Sequence, residues 1–296
     1  MKNTMSLTPL DSDIIENVFL KFYSYDGISL LVDILEYVSK GFSKQLVDSH
    51  TEDEKQLQFK KILILKFEIV AKVCHYIENF GAFGYSFSET CPDRSLITNI
   101  FRIISDYDVT AVKSFYERFV TKGPSDNVNL VKLKRIFCYP VIASPNPSLS
   151  LLLSNSLQNL SAIIEEIGSC YVDVDKKLNL KEAYNSYKHG YRLLFAKEMQ
   201  NDIDTVVFIN KGGSKDVIPV DEESVKVYTD LKNKCVLLFK IMLHNHRIKQ
   251  ELIKENVRSK RVSLLFVQNN NNIVSKSLDV VIKYHNGSRI DYLSQK

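Results

Sequence analysis

The chain predicts a mainly α fold, a multi-helix bundle with short β-hairpins in its C-terminal third. Three observations carry this reading. Apolar residues recur at helical spacing through most of the first two thirds of the chain. Beyond Gln200 the texture shifts to short runs rich in β-branched residues. Of 296 residues, 45% are hydrophobic and 25% charged, enough for a large core and too little charge for wholesale disorder. The expected organisation is a helical bundle over 1–200, followed over 201–296 by two β-hairpins flanking a long helix and packed on the same core.

The elements follow in order. Asp11 or Ser12 caps a short helix through Phe22. Gly27 precedes a second helix, Ile28 to Val47, with Leu30, Leu31, Ile34, Leu35, Val38 and Phe42 on one broad apolar face. The polar stretch Ser49–Glu54 is a loop and helix start, its acids suited to the positive end of the helix dipole. The third helix spans Asp53 to Phe80. Its middle, Ile62–Val70, is apolar nearly all round and suits a buried central position. Gly81 and Gly84 are expected to end it. His75 and Glu78, one turn apart, are read as a structural pair or as a second part of an active site.

Cys91–Arg94 breaks the pattern, and short helices are expected at Ser95–Ser105, Val109–Thr121 and Asn129–Phe137. The stretch Tyr139–Pro147 is the most proline-rich and marks a boundary or a tightly packed connector. A helix over Leu149–Gly168 comes next, then one from Leu178 to Glu198. Thr205–Ile209 and Asp216–Val220 predict a hairpin, and the Lys211–Ser214 turn between them lacks the spacing of a phosphate loop. Asp221 starts a long helix to Glu255 with Val225, Tyr228, Leu231, Cys235, Leu238, Phe239 and Met242 on its apolar face. His244 and His246 lie two residues apart and diverge by about 200° on a helix, too far to share an ion, so a surface position is the default expectation, with a place in a polar site the alternative for His246. Val262–Val267 and Leu278–Tyr284 predict a last hairpin across Asn269–Asn272, followed by a polar tail.

The densest chemistry lies in Ala183–Arg192. On the helix expected there, Asn185, Lys188, His189 and Arg192 share an arc of about 100°, beside a core face of Leu180, Tyr184, Tyr187, Tyr191, Leu194 and Phe195. Gly190 costs that helix about 1 kcal/mol relative to alanine. Two readings of the polar arc stand side by side. It is a solvated flank, or it is a positive pocket for phosphate or nucleic acid in which His189 moves protons near neutral pH.

The spacing Asn185-x-x-x-His189 on a late helix of an all-α chain resembles the second half of the HEPN motif. The family pattern has an arginine immediately before the polar residue, and here Tyr184 stands in that place. The resemblance implies a helical bundle, often dimeric, and a metal-independent ribonuclease of defence, toxin–antitoxin or RNA-processing type. In that reading His189 activates the ribose 2′-hydroxyl or protonates the leaving oxygen, and Asn185 orients His189 or the phosphate. Lys188 and Arg192 stabilise the transferring phosphoryl group, and Tyr184 joins them as a substrate-binding candidate. Two copies of the helix meeting across a twofold double the positive charge.

Composition narrows the alternatives. Net charge is +4 and the isoelectric point about 8.6, which permits contact with RNA without requiring it. Five cysteines are widely scattered, none at metal-ligand spacing, and are expected as free thiols in a reducing compartment. Neither a signal peptide nor an apolar run long enough for a membrane is present, so a cytoplasmic protein without membrane partners is expected. No serine-hydrolase elbow, zincin motif, dinucleotide fingerprint or zinc-finger spacing occurs, and no cofactor or metal is expected. Two function classes remain: a HEPN-like RNA-binding or RNA-cleaving protein, or a non-catalytic helical interaction or regulatory module, of immunity type for example, whose motif face is structural or binds an acidic surface; the partners expected are RNA, a homodimer mate or another protein.

Overall fold

The computed structural model describes residues 27–89, 109–142, 146–172, 180–188, 193–195, 205–209, 215–255, 259–285 and 289–294. The chain is mainly α, with strands in its later part. The described helices are α1 (Gly27–Asp48), α2 (Glu52–Glu89), α3 (Val109–Lys122), α4 (Asn127–Ile136), α5 (Pro147–Val172), α6 (Leu180–Lys188) and α7 (Glu222–Lys254). The strands are β1 (Val141–Ile142), β2 (Leu193–Phe195), β3 (Thr205–Ile209), β4 (Lys215–Pro219), β5 (Ser259–Gln268), β6 (Asn272–His285) and β7 (Arg289–Ser294). The helices expected before Gly27 and over Ser95–Ser105 lie outside the described residues.

Local chemistry explains where the helices start. Thr51 and Glu54 form a reciprocal capping box on α2: the Glu54 amide donates to Thr51 Oγ1 (3.2 Å) and the Thr51 amide to Glu54 Oε2 (3.1 Å). These bonds hold the Glu54 carboxyl below its usual range. Asp126 caps α4 by accepting from the Asn129 amide (3.0 Å), Asn146 caps α5 through the Leu149 amide (3.0 Å), and Asp221 caps α7 through the Ser224 amide (2.8 Å).

The described residues fall into two compact units, each drawing on stretches either side of position 200. One unit gathers Phe80–Glu166 and Leu237–Lys296. Its core is aromatic. Phe80 meets Phe239 edge-on at 5.4 Å between ring centroids, Phe83 meets the same ring at 5.8 Å, and Phe115 packs on Phe119 at 5.2 Å. Here the third helix departs from expectation. It does not end at Gly81 but runs on to Glu89. A Cβ built at Gly84 would stand 2.4 Å from the Phe115 ring, and one at Gly81 would stand 2.7 Å from both Val112 and Tyr116. The glycines are points of close approach for α3, not terminators.

This unit carries the sheet β1-β7-β6-β5. β5 and β6 form a long antiparallel hairpin, with Val262 opposite Leu278 and Gln268 opposite Asn272. Asn270 and Asn271 turn it with φ near +60°, a region asparagine tolerates better than most residues. The tail read from sequence only as polar contains β7, which pairs antiparallel with β6 and parallel with β1. β1 itself comes from the proline-rich stretch, which is therefore a packed connector with Tyr139 buried. The outward-facing backbone of β5 is met by side chains. Leu265 N donates to Asn245 Oδ1 (2.9 Å) and Val267 N to Ser156 Oγ (2.9 Å). The Leu265 carbonyl accepts from Tyr139 Oη (2.9 Å) and Asn245 Nδ2 (3.1 Å), and the Ser263 carbonyl lies 2.8 Å from His244 Nε2.

The other unit gathers Asp26–Asn79 and Ile167–Val236. Val32, Phe67, Ile69, Val70, Val73, Tyr228, Leu231 and Cys235 are buried in it. It carries the antiparallel sheet β2-β3-β4, in which Val207 faces both Leu194 and Val217. The turn over 210–214 lies outside the described residues. The helix expected over Leu178–Glu198 is cut short. It ends at Lys188, and Leu193–Phe195 pair as a strand with Val206–Phe208. β3 offers Leu193–Phe195 a ladder partner that a helix through Glu198 would forgo.

α1 also differs from expectation. Its most buried residues are Val32, Ser39 and Ser29, while Leu30, Leu31, Ile34 and Val38 of the expected core face are exposed. Polar ties set this orientation: the Lys232 ammonium reaches Asp33 Oδ1 at 2.6 Å, and Thr229 Oγ1 donates to Glu36. The inward face is therefore rotated away from the apolar one.

The glycine contacts generate a test. In an exposed helix, replacing glycine by alanine stabilises by about 1 kcal/mol. Gly84→Ala should instead destabilise by about 1–3 kcal/mol, because its Cβ displaces the Phe115 ring from a filled aromatic core. Urea unfolding followed by circular dichroism reads the sign directly.

Candidate functional site

The motif helix α6 docks against α2 in a patch of charged and aromatic groups. Leu180 and Tyr184, one turn apart, are buried. The Cys74 thiol donates to the Leu180 carbonyl (3.7 Å). Tyr187 packs its ring on Phe67 at 5.8 Å, and its hydroxyl donates to the Glu68 carboxylate, 3.1 and 3.0 Å from the two oxygens. Lys188 Nζ lies 2.6 Å from Glu78 Oε2 and 4.3 Å from the centre of the Tyr184 ring. The Tyr184 and Tyr187 rings run nearly parallel, 6.3 Å apart. His75 stands beside Tyr184 with its ring 6.1 Å away.

The electrostatics follow from burial. Desolvation pushes the Cys74 thiol well above its ordinary range, and the Glu78 charge pushes it further against the pull of Lys188. Such a thiol is not a nucleophile near neutral pH. Burial pulls His75 below the usual imidazole range, opposed by Glu78 and assisted by Lys72 and Lys188, so His75 is mainly neutral at pH 7. Tyr187 is pushed up to about 12, first by burial and then by its bond to Glu68 and the charge of that carboxylate. The patch thus holds an un-ionised phenol, a neutral imidazole and one neutralised ion pair.

Of the residues singled out from sequence, Tyr184, Asn185 and Lys188 have a definite place here. Asn185 is half-buried on α6. Tyr184 is 6% exposed and lies beneath the Lys188 ammonium, at the floor of the patch. Lys188 is committed to Glu78, and Glu78 takes Lys188, not His75, as its ion-pair partner. His189 and Arg192, the other members of the arc, lie outside the described residues. The arc itself assumed a helix through Glu198, which the strand at Leu193–Phe195 replaces.

The His244–Arg247 segment is corrected as well. His246 is not at the surface. It is buried, with Nε2 2.9 Å from the Ile136 carbonyl and its ring 4.2 Å from Phe87. Burial pushes its pKa down to about 3. Asn245 between the histidines is fully buried and bonds the Phe137 carbonyl (3.1 Å) as well as β5. Its signal was in the sequence: Leu238, Met242 and Asn245 follow one another at the spacing of the core face of α7. Among the described residues, no group of three His, Cys, Asp or Glu is placed to hold a metal ion.

Two features that carry no site residue expected from sequence lie around α1. One is a cavity of about 330 Å³ whose lining includes Glu36, Ser39, Lys40, Lys66, Lys226 and Asp230. Two of its carboxylates are already engaged, Glu36 by Thr229 and Asp230 by Lys234, and Glu222 also lines it. The other is the outer face of α1. Leu30, Ile34 and Tyr37 are 59, 49 and 80% exposed, and Leu31 and Val38 flank them. A shallow hollow on this face is lined by Tyr37, Val38, Lys40, Gly41, Phe42 and Lys44.

Two tests follow. Lys188→Met should destabilise the fold by about 1–3 kcal/mol, because it strands a buried carboxylate. Adding Glu78→Gln should restore most of that loss in urea unfolding, whereas a solvated lysine would cost less than about 0.5 kcal/mol. His246 sets a pH dependence. The folded chain keeps this imidazole neutral down to about pH 3, while the unfolded chain takes up a proton below about 6.5. Its contribution is present above that value and is lost as pH falls from about 6.5 toward 3, at up to about 1.4 kcal/mol per pH unit. His246→Gln should flatten the fall in denaturation midpoint between pH 7 and pH 5.

Comparison of the chain with protein-family models, curated proteins and solved structures finds no match.

Proposed function

We propose that this protein is a non-catalytic helical interaction module that acts through a protein partner. The observation that carries this reading is the outer face of α1. Leu30, Leu31, Ile34, Tyr37 and Val38 recur at one-turn and two-turn spacing on a single exposed stripe. Monomeric proteins rarely leave so contiguous an apolar patch in water, and such patches mark interaction sites. The motif patch supports the same conclusion from the other side. Tyr184 is buried and Lys188 neutralises Glu78, so two of the proposed substrate-binding groups serve the packing of α6. No helix among the described residues is long and apolar enough to cross a membrane.

A second reading, the HEPN-like ribonuclease or RNA-binding protein, is favoured by the half-buried position of Asn185 beside Lys188, whose side chain is 37% exposed. In that reading Asn185 and His189 are catalytic, and Lys188, Arg192 and Tyr184 bind RNA. The two readings differ in what they bind. A photo-reactive amino acid at Tyr37 should give a nuclease-resistant protein adduct in cells expressing the chain, and one at the exposed Lys122 should not. RNA titrated at low salt should show no binding. Salt-dependent RNA binding that falls in Lys188→Ala, with cleavage abolished in His189→Ala, would overturn the interaction reading in favour of the ribonuclease.

A further inference from the structure

We propose that the partner seated on α1 is a second copy of this chain, held by antiparallel pairing of the two α1 helices across a twofold near Tyr37 and Val38. This rests on the interaction reading and names its occupant. Three features of α1 fit it to its own mirror in sequence direction. The first is shape. Gly41 lies on the exposed stripe, and a Cβ built there meets nothing within 4 Å, so another helix has room to approach. The hollow around Gly41 is an empty hole on a surface that elsewhere presents large knobs. With the twofold between Tyr37 and Val38, Ile34 seats on the partner's Gly41, and Tyr37 on the partner's Val38. The mirror contact repeats each fit, as an isologous interface requires.

The second is charge. Asp33, Lys40 and Lys44 share one flank of the stripe, at helical spacing. Across a perpendicular twofold the same flanks meet, and Asp33 then stands between the partner's Lys40 and the partner's Lys44. Asp33 remains 57% exposed despite its bond to Lys232, so its carboxylate can accept from both directions. A parallel pairing would instead set this charged flank against the apolar flank of Leu31 and Val38 and leave Asp33 without the partner's lysines. The third is the opposite flank, where Leu31 and Val38 continue the apolar surface and leave no charge to desolvate. A single helix pair buries an area at the small end of specific interfaces, so the dimer dissociates on dilution.

The register is testable because it names pairs. Ile34 and Gly41 of one chain are separated by about 10.5 Å along the helix, too far for an intrachain disulfide. In the antiparallel dimer the two positions face each other. The full chain carrying Ile34→Cys together with Gly41→Cys should therefore oxidise to a covalent dimer, while either single variant and wild type should stay monomeric on non-reducing gels. Sedimentation velocity from sub-micromolar to about 100 μM should show wild type passing from monomer to dimer. Tyr37→Glu, at a position 80% exposed, should hold the monomer across that range with an unchanged melting midpoint. A wild type that stays monomeric, or single-cysteine variants that cross-link as well as the double, would overturn the pairing. A Tyr37 photo-adduct with a different protein would overturn the second copy as occupant and leave the interaction reading standing. Absence of any protein adduct, or its loss on nuclease treatment, would remove both.

Discussion

A carboxylate removed from water has to find a cation, and the unit built on α1, α2 and α6 is organised around that requirement. Glu78 is buried on the central helix. Lys188 answers it from the last residue of α6. Once that ammonium is placed, the rest of α6 has little freedom. Tyr184 is clamped under the charge, Tyr187 reaches Glu68 a few turns back along α2, and the Leu180 carbonyl lies over Cys74. A salt bridge of this kind adds little net stability over an apolar pair, but it is costly to half-break, so it specifies geometry more than it stabilises. The basic residue that looks from sequence like a phosphate ligand is thus an internal counter-ion.

The same economy of polar groups runs through the other unit. Asn245, Tyr139 and Ser156 come from three different segments, and all of them bond the backbone of β5. Tyr139 also stacks on Phe266 at 4.9 Å, and burial pushes its phenol well above the ordinary range, consistent with a structural hydroxyl. Buried polar groups satisfied in this way fix register, because a shift of one residue would orphan several of them at once.

The sequence made some of this legible. The long helices, the capping box at Thr51–Glu54, the apolar face of α7 and the late hairpins follow from spacing and residue type alone. What failed shares one cause: the identity of a neighbour. Gly81 and Gly84 read as helix ends because glycine is a poor helix former; only the rings of Phe115 and Tyr116 across from them explain their position inside α2. The apolar face of α1 is plain in the sequence, but which way it turns depends on Asp33 and Glu36 finding Lys232 and Thr229, about two hundred residues away. His246 reads as a surface histidine until Ile136 and Phe87 enclose it. The motif on α6 was visible as a cluster, but its role turns on Glu78, a residue that sequence spacing assigned to His75.

One consequence remains in the edge of the four-stranded sheet. β5 is the outermost strand, ten residues long, and its partner β6 covers only one side. An open edge of that length ordinarily invites another strand, from a misfolded neighbour or a fibril end. Proteins usually deter this with a charge, a proline or a bulge. Here the amides of Leu265 and Val267 and the carbonyls of Ser263 and Leu265 already hold side-chain partners, so a strand pairing along this half of β5 would have to displace Asn245, Ser156, Tyr139 and His244. From Ser263 to Val267 the edge is sealed from within, by hydrogen bonds that no surface property reveals.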